Sequence, residues 1–346
     1  MYPASFEYSA PVTLDEALTI LDQHSDEAKL LAGGQSLIPL MKLRFAAPGL
    51  LVDINRIPGL DALEERDGFL HLGPLLRHRS CERSGLLRRR YGVLAETAPQ
   101  ISDPIVRNLG TVAGSLAHAD PQGDWGSALI AAGGEVEARS LAGTRTIPLA
   151  DLFRGPFETV LEPNEIVTSV RVPTPTGRSG GAYLKLERKV GDFATVGVAV
   201  HLTFDDGKVG RAGIALTAVA PTNVTAAAAE RALAGGELTA EAIAEAARLA
   251  ADAAEPRSDL RGSADYKRRV VQVFTERGLR RAAQVAGVAV GGSGAAAPEP
   301  RSTVAGVPRV TPEAAQPPAE GEETFSGRET VAGVMDELRR KEGGPQ

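Results

Sequence analysis

The sequence predicts an α+β protein with two ordered regions, and two stretches lead to that prediction. Between Lys29 and Asp53 a strand, a glycine pair and a helix start follow one another, in KLLAGGQSLIPLMKLRFAAPGLLVD. After residue 178 the pattern changes to three alternating strands, which form a meander and are followed by alanine-rich amphipathic helices. We therefore expect a sheet-and-helix region first, and then a three-stranded antiparallel sheet packed against a helix bundle.

Composition limits the class of protein. A chain of 346 residues with 43% hydrophobic content can bury a sizeable core, enough for about two domains plus a remainder. The net charge of -6 argues against non-specific nucleic-acid binding, and Arg88-Arg89-Arg90 is too short a run to reverse that. We interpret these arginines as a solvated face. The one cysteine, Cys81, allows neither a disulfide framework nor a four-cysteine iron–sulfur or zinc site.

Two further features of the sequence concern the location of the protein in the cell. No apolar run approaches the length of a membrane span. The segment Met1 to Ala10 lacks the basic start and apolar middle of a signal peptide. The expected location is the cytoplasm.

The first element of chemical interest is the glycine pair. Lys29 to Ala32 is predicted as a buried strand, Gly33-Gly34 as a break and Gln35-Ser36 as the lead into a helical turn, with a second strand at Leu50 to Ile54. Adjacent glycines permit positive φ and carry no Cβ, so consecutive backbone N–H groups can point at one phosphate. Three or four charge-assisted hydrogen bonds, at roughly 1.5–3 kcal/mol each, would hold a pyrophosphate without a lysine. The alternative is a simple turn, because a lone glycine pair is a weak motif.

The elements around this unit follow from capping and strand signals. Thr13-Leu14-Asp15-Glu16 is a capping box that begins a helix ending near His24. Gly68 to Gly73 is predicted as a strand, and Ser80 as the N-cap of a helix that runs through Leu87.

The stretch Ile101 to Trp125, ISDPIVRNLGTVAGSLAHADPQGDW, is predicted as a long functional loop, because it has few helix or strand signals. Thr111, Gly114 and Ser115 form a second small-residue turn with hydroxyl and backbone donors. Asp124 stands just before an apolar helix, where it is either an N-cap or an acceptor for ligand hydroxyls, as acidic residues are in other nucleotide sites.

Four other polar residues are interpreted as structural. His71 and His78 fit no ligand spacing and are predicted to lie on the surface. His118 and Asp120 have no nucleophile or metal partner in view and are predicted to structure the loop. The sequence therefore predicts no catalytic residue and no metal site.

The second region is predicted element by element. Strands at Glu135 to Arg139 and Glu165 to Val172 close the first region, and Pro173-Thr174-Pro175 is a linker. The later elements are strands at Tyr183 to Glu187, Thr195 to Phe204 and Gly210 to Ala220, a hairpin turn at Asp205 to Lys208, and helices at Thr225 to Ala234, Thr239 to Ala254 and Ser263 to Ala286. From Gly287 to Gln346 the composition predicts a flexible tail, in which Glu329 to Lys341 is either a short docking helix or a disordered segment.

Three motifs together resemble one family, the medium, FAD-binding subunit of molybdenum hydroxylases of the xanthine dehydrogenase and aerobic carbon monoxide dehydrogenase type. AGGQSLIPLMKLR is similar to the family's first flavin-phosphate loop, RNLGTVAGSLAHADPQGDW to the second, and RKVGDFATVGVAV to its C-domain signature. The second loop of the family usually reads Thr-x-Gly-Gly, whereas this chain has Ala113 before Gly114. The resemblance covers about residues 1 to 286.

The resemblance implies a fold and a domain division. The first domain, residues 1–175, would be a two-part FAD-binding domain of the PCMH, vanillyl-alcohol-oxidase-like type, with subdomains of about 1–57 and 58–175. Residues 178–286 would form the carbon monoxide dehydrogenase flavoprotein C-terminal domain, with the tail at 287–346.

The resemblance also implies which residues meet the cofactor. The first loop would wrap the pyrophosphate with Lys29, Leu30, Leu31, Ala32, Gly33, Gly34, Gln35 and Ser36. The second would approach from the opposite side with Thr111, Val112, Ala113, Gly114 and Ser115. Asp124 would bind ribityl or ribose hydroxyls, Ile101 and Val167 would pack on the cofactor, Lys185 would sit near it, and Arg188, Asp192 and Phe193 would border the isoalloxazine. A cation near the flavin N1–C2 edge stabilises the anionic reduced form, while an apolar face excludes water.

The implied function is electron transfer. FAD would accept electrons from [2Fe-2S] clusters of a small partner subunit and pass them to an external acceptor, with substrate oxidised in a large molybdopterin-binding subunit, in a dimer of heterotrimers. Two alternatives remain. A self-contained flavin oxidase or dehydrogenase would need its own substrate pocket and base, and a non-redox nucleotide-binding or scaffold protein would purify colourless.

Overall fold

The computed structural model describes residues 2–291, so the predicted helix at Glu329 to Lys341 and most of the predicted tail lie outside the described residues. The strands are β1 Glu7–Ser9, β2 Ala28–Leu31, β3 Leu50–Asp53, β4 Leu63–Arg66, β5 Phe69–Leu72, β6 Glu135–Ser140, β7 Gly143–Pro148, β8 Phe153–Gly155, β9 Glu158–Thr159, β10 Ile166–Pro173, β11 Arg178–Leu186, β12 Val196–Asp205, β13 Lys208–Thr217 and β14 Val224–Thr225. The helices are α1 Leu14–Gln23, α2 Leu37–Lys42, α3 His78–Arg83, α4 Gly85–Arg90, α5 Gly92–Thr97, α6 Pro104–Leu109, α7 Val112–His118, α8 Asp124–Ala131, α9 Ala227–Leu233, α10 Ala240–Asp252 and α11 Ala264–Val285.

A small parallel sheet carries the glycine pair. Its strand order is β1-β3-β2, and α1 covers it with the buried side chains of Leu18 and Leu21. The predicted cap of α1 forms, because Thr13 Oγ1 accepts a hydrogen bond from the Glu16 amide at 3.2 Å. The Glu16 carboxylate reaches back to the amide of Val12 at 3.0 Å.

The second sheet has five antiparallel strands in the order β4-β5-β10-β6-β7. Its core includes the whole of α8, whose eight residues are all buried. Trp125 on this helix is completely buried and is among the largest side chains of the core. The helix therefore has a fixed position, and so does Asp124 at its first residue.

The third sheet is antiparallel, in the order β11-β12-β13-β14. The predicted meander forms with the predicted hairpin between β12 and β13, and the two-residue strand β14 adds a fourth strand. Helices α9, α10 and α11 pack on this sheet through a continuous apolar cluster. The predicted α+β class is confirmed, including the sheet-and-helix character of this region.

Three local predictions are wrong. Ser80 is not an N-cap, because α3 begins at His78 and a new helix, α4, begins after Ser84, whose Oγ accepts from the Leu87 amide at 3.2 Å. Ile101 to Trp125 is not a long loop, since it contains α6 and α7. The tail does not begin at Gly287, because Gly291 forms an isolated parallel β-bridge with Thr239. The carbonyl of Gly291 accepts a hydrogen bond from the Ala240 amide at 2.9 Å.

Helix α6 shows why the loop prediction failed. Asp103 caps this helix, its carboxylate accepting from the Val106 amide at 2.8 Å, and Pro104 occupies the first helical position. Asp and Pro together also signal turns, so the same residues fit either prediction. Within the described residues, no helix is both long and apolar enough to cross a bilayer.

Candidate cofactor-binding cleft

One large cleft has a volume of about 940 Å³. It is lined by residues from the regions of all three sheets described above. This volume is at the upper end of the range for small-molecule and cofactor sites. The structure brings to this cleft all but two of the residues predicted from the sequence: Lys29, Leu30, Leu31, Ala32, Gly33, Gly34, Gln35, Ser36, Ile101, Thr111, Ala113, Gly114, Ser115, Asp124, Val167, Lys185, Asp192 and Phe193. The two that do not line it are Val112 and Arg188.

The loop between β2 and α2 offers backbone donors. Gly34 has a φ of 70°, and the Gln35 side chain donates to the Gly33 carbonyl at 3.2 Å. Within the described residues, the four amides from Gly33 to Ser36 donate no hydrogen bond. Consecutive free N–H groups around a residue of left-handed conformation are a typical anion-binding arrangement. The loop therefore fits a phosphate, as the glycine pair predicts.

The segment from Thr111 to Ser115 is arranged differently. Thr111 Oγ1 accepts from the Gly114 amide at 3.1 Å, and the Ser115 amide donates to the Thr111 carbonyl at 3.0 Å, so Thr111 caps α7. The amide of Val112 donates to Leu76 and its side chain is fully buried. Three backbone donors here, the amides of Val112, Gly114 and Ser115, are already used, whereas within the described residues the Ala113 amide and the hydroxyls of Thr111 and Ser115 donate no hydrogen bond.

The two loops touch each other at Gly33. A Cβ on Gly33 would lie 2.4 Å from the Leu109 carbonyl oxygen and 2.8 Å from the Cα of Gly110. Both neighbours are backbone atoms, so no side chain can rotate out of the way. Glycine at position 33 is therefore required for the close approach of the first loop to the segment between α6 and α7.

A buried ion pair forms the floor of the cleft. Lys185 Nζ donates to Asp124 Oδ2 at 2.9 Å and to the Gln100 carbonyl at 2.9 Å, and only 1% of the Lys185 side chain is exposed. Tyr183 Oη donates to the other carboxylate oxygen, Oδ1, at 2.6 Å. The N-cap alternative for Asp124 is wrong, because Gly123 is the N-cap and the carboxylate faces β11.

The electrostatics of Asp124 follow from this arrangement. Burial raises the pKa of the carboxyl, while the neighbouring Lys185 cation and the hydrogen bond from Tyr183 act in the opposite direction. Glu187 Oε2 lies 3.4 Å from Lys185 Nζ and works against ionisation of Asp124. The ammonium is thus held between two carboxylates at the cleft floor.

His78 also lines the cleft, although the sequence predicted a surface residue. That prediction is wrong, since His78 is 5% exposed and its Nδ1 accepts from the Trp125 indole N–H at 2.9 Å. Burial, with Arg107 and Arg77 adding to it, lowers the pKa of His78 to about 4. The ring is therefore neutral near pH 7 and carries its proton on Nε2.

The other histidines divide between confirmed and wrong predictions. His71 is buried, not on the surface, and its Nδ1 lies 3.3 Å from Ser169 Oγ. His118 packs against Phe157 with the two rings tilted by 48° and their centroids 5.2 Å apart. Asp120 structures its turn as predicted, because its carboxylate accepts from the Gln122 amide at 2.9 Å.

At the mouth of the cleft, Asp192 interacts with two arginines. Arg188 is largely exposed and lies 3.7 Å away, whereas Arg261 lies 3.5 Å away and also donates to the Phe193 carbonyl at 3.1 Å. Arg261 was not predicted from the sequence, because it comes from the segment before α11. Tyr183 was also missed, although its spacing of two from Lys185 on a strand puts both side chains on one face.

A cleft with a loop of unpaired backbone amides, a buried cation and apolar walls fits a nucleotide cofactor, such as a flavin nucleotide. The comparisons with known proteins agree. Residues 4–175 match the FAD binding domain in molybdopterin dehydrogenase, and residues 181–282 match the CO dehydrogenase flavoprotein C-terminal domain.

Curated relatives cover most of the described chain. The carbon monoxide dehydrogenase medium chain of Hydrogenophaga pseudoflava is 42% identical over 82% of this chain and 98% of its own length. The 6-hydroxypseudooxynicotine dehydrogenase complex subunit alpha of Paenarthrobacter nicotinovorans is 38% identical over 82% of this chain and 96% of its own. A solved structure of carbon monoxide dehydrogenase from Hydrogenophaga pseudoflava has a TM-score of 0.79 at 44% identity, covering 82% of this chain and 99% of the matched chain.

The chain belongs to the medium, FAD-binding subunits of the molybdenum hydroxylase family, an oxidoreductase family, and the resemblance seen in the sequence is confirmed. Its cofactor is FAD. The unpaired amides of the first loop, which Gly33 allows to approach closely, suit the phosphates of that cofactor. The buried cation, Lys185, suits its flavin.

Proposed function

We propose that this chain is the electron-transfer subunit of a three-subunit complex. FAD bound in the cleft accepts electrons from [2Fe-2S] clusters of a small subunit and passes them to an external acceptor. A large molybdopterin-binding subunit oxidises the substrate, and the assembly is a dimer of heterotrimers. The named relatives support this proposal because they are medium chains or subunits of such dehydrogenases.

The residues of this chain support the division of labour. Its one cysteine, Cys81, is buried, and burial raises the pKa of the thiol to about 12, so it stays protonated. A [2Fe-2S] cluster needs four thiolates or their equivalents. The described residues contain no group of three or more His, Cys, Asp or Glu side chains placed to hold a metal ion.

Each part of the cleft has a proposed task. The amides from Gly33 to Ser36 bind the pyrophosphate, and the Ala113 amide adds a donor from the opposite side. Lys185 supplies positive charge close to the flavin, and Ile101 and Val167 exclude water from its faces. We leave Val112 and the Arg188 side chain out of this assignment, because neither lines the cleft. The observation that carries the proposal is the meeting of four free amides and a buried Lys185–Asp124 pair in one cleft.

The test compares the full chain alone with the assembled complex. The chain, reconstituted with FAD, should be yellow and should be bleached by an artificial reductant, yet it should not turn over carbon monoxide or an N-heterocyclic substrate. The same preparation, assembled with a cysteine-rich small subunit and a large molybdopterin subunit, should gain substrate-dependent flavin reduction.

Two outcomes would contradict the proposal. Substrate turnover by the isolated, metal-free chain would favour the self-contained flavoenzyme. Failure of the folded chain to take up FAD, with a colourless product, would favour a scaffold protein. Folding is checked independently by the thermal unfolding of the apoprotein.

A further inference from the structure

A network of hydrogen-bonded, buried polar side chains lies behind the floor of the cleft. Tyr183 Oη, which donates to Asp124, lies 3.5 Å from Thr217 Oγ1. The hydroxyls of Ser127 and Thr217 hydrogen-bond each other, and Asn223 Nδ2 lies 3.4 Å from Thr217 Oγ1. Helix α8, β11, β13 and the segment before β14 each contribute a member, and every member is buried.

Two glycines make room for this network. A Cβ on Gly197 would lie 2.6 Å from the Tyr183 hydroxyl, and a Cβ on Gly126 would lie 2.0 Å from Asn223 Oδ1. Buried polar networks are costly unless every member has a partner, so they are kept where they fix a particular geometry. Here the network ends at Asp124, which holds Lys185.

We propose that Tyr183 is a positioning residue for the cleft: its hydroxyl holds the Asp124 carboxylate in the ionised form, and the ionised Asp124 in turn pairs with the Lys185 cation and fixes its place at the floor. This inference rests on the proposed function in one respect only, namely that the Lys185 cation acts on a bound flavin. The hydrogen bonds themselves are formed in the protein without its cofactor.

The physical reason lies in the position of Asp124. A carboxylate that is almost completely removed from water is stable only if its oxygens are hydrogen-bonded or paired with charge. Lys185 satisfies Oδ2 and Tyr183 satisfies Oδ1. Without the phenol O–H, one oxygen of a buried anion would lose its donor, and protonation of the carboxyl would become the less costly state.

Among the described residues, few ionisable groups besides Lys185 and Tyr183 act on Asp124. Glu187 on the chain after β11 is the nearest like charge, at 3.4 Å from Lys185. On neighbouring elements, Glu96 of α5 accepts from the Tyr183 amide, and His78 of α3 bonds Trp125. His118 of α7 packs against Phe157. Arg211 of β13 donates to the Ala131 carbonyl at the other end of α8, and His201 lies on the adjacent strand.

Infrared difference spectroscopy of the full apo chain tests the proposal directly. The band of the protonated carboxyl group, assigned to Asp124 by its loss in Asp124→Asn, is followed against pH. Tyr183→Phe should raise the pH midpoint of this band by roughly 1–2 units, the equivalent of one hydrogen bond to a charged group. Gly197→Ala, which displaces the same hydroxyl, should shift it in the same direction and serves if Tyr183→Phe does not fold.

Tyr91→Phe is the matched control. The Tyr91 hydroxyl donates to the Glu65 carboxylate at 2.7 Å, outside the cleft, so this variant removes a similar hydrogen bond without touching Asp124. It should leave the Asp124 midpoint unchanged. An unchanged midpoint in a folded Tyr183→Phe protein, or an equal shift in Tyr91→Phe, would overturn the proposal.

A second measurement uses the FAD-loaded chain. Between the wild-type midpoint and the shifted one, Asp124 is neutral only in Tyr183→Phe, and Lys185 there keeps Glu187 as its one carboxylate partner, so the flavin midpoint potential should lie above that of the wild type. Well above that pH the two potentials should converge. A constant difference at all pH values would contradict the role of Tyr183, whereas a shifted infrared midpoint in a chain that takes up no FAD would contradict only the proposed function.

Discussion

Replacement of Gly33 by Ala is the sharpest test of the phosphate loop. The added Cβ would meet the Leu109 carbonyl oxygen at 2.4 Å, where ordinary contact begins at 3.4 Å, so the two loops must separate by about 1 Å. A hydrogen bond of about 2.9 Å stretched by that amount is lost. Each charge-assisted bond contributes roughly 1.5–3 kcal/mol, so each one lost should raise the Kd for FAD about 10-fold to 100-fold.

The protein carries its own reporter for this measurement. Trp125 is the single tryptophan of the chain and lines the cleft, so FAD titration can be followed by quenching of its fluorescence. Gly236→Ala is the control, because a Cβ there would meet nothing closer than the Leu233 carbonyl oxygen at 3.6 Å. If Gly33→Ala folds and binds FAD as tightly as Gly236→Ala does, the loop does not hold the phosphates by close backbone approach.

Two further predictions concern acid. His78 and His201 are buried with pKa values lowered to about 4, below the ordinary 6.5, so their contribution to folding is complete above pH 6.5 and is lost as the pH falls through 4. Protonation of each of these two histidines should lower the free energy of unfolding by about 3 kcal/mol at pH 4, measured by urea titration; a stability that does not change between pH 7 and pH 4 would refute the assignment. We also predict that FAD is bound noncovalently, so acid precipitation should release the flavin into the supernatant; yellow colour retained in the pellet would instead indicate covalent attachment, with His78, which lines the cleft, as the first residue to examine.

The sequence predicts the fold best where one signal dominates. Period-two alternation and the Asp205 to Lys208 turn place the hairpin of β12 and β13 correctly, and helical periodicity places α10 and α11 to within a residue or two. The prediction fails where caps and turns share the same residues, as at Asp103 and Pro104. Short helices such as α6 and α7 contain too few turns for periodicity to outweigh those signals.

The candidate site could likewise be predicted only in part from the sequence. Glycine pairs and a lone acidic residue are visible in the sequence, and the structure brings them to one cleft. The burial of His78 was not visible, because it depends on Trp125, 47 residues further along the chain. Arg261 reaches Asp192 from 69 residues away, and no local pattern indicates such a contact.

The two small-residue loops illustrate why a motif does not by itself assign a role. Both have the composition of a phosphate loop, but within the described residues the amides from Gly33 to Ser36 donate no hydrogen bond, whereas those of Val112, Gly114 and Ser115 already donate to Leu76 and Thr111. A hydrogen-bond donor can serve a ligand fully only if the protein has not already used it. We therefore propose that the first loop is the main anion-binding element, and that the second adds fewer backbone donors and follows the Leu109-Gly110 segment against which Gly33 packs. On this basis, Ala113 in place of a glycine is tolerated, because a helical residue accepts a methyl group and its amide stays available.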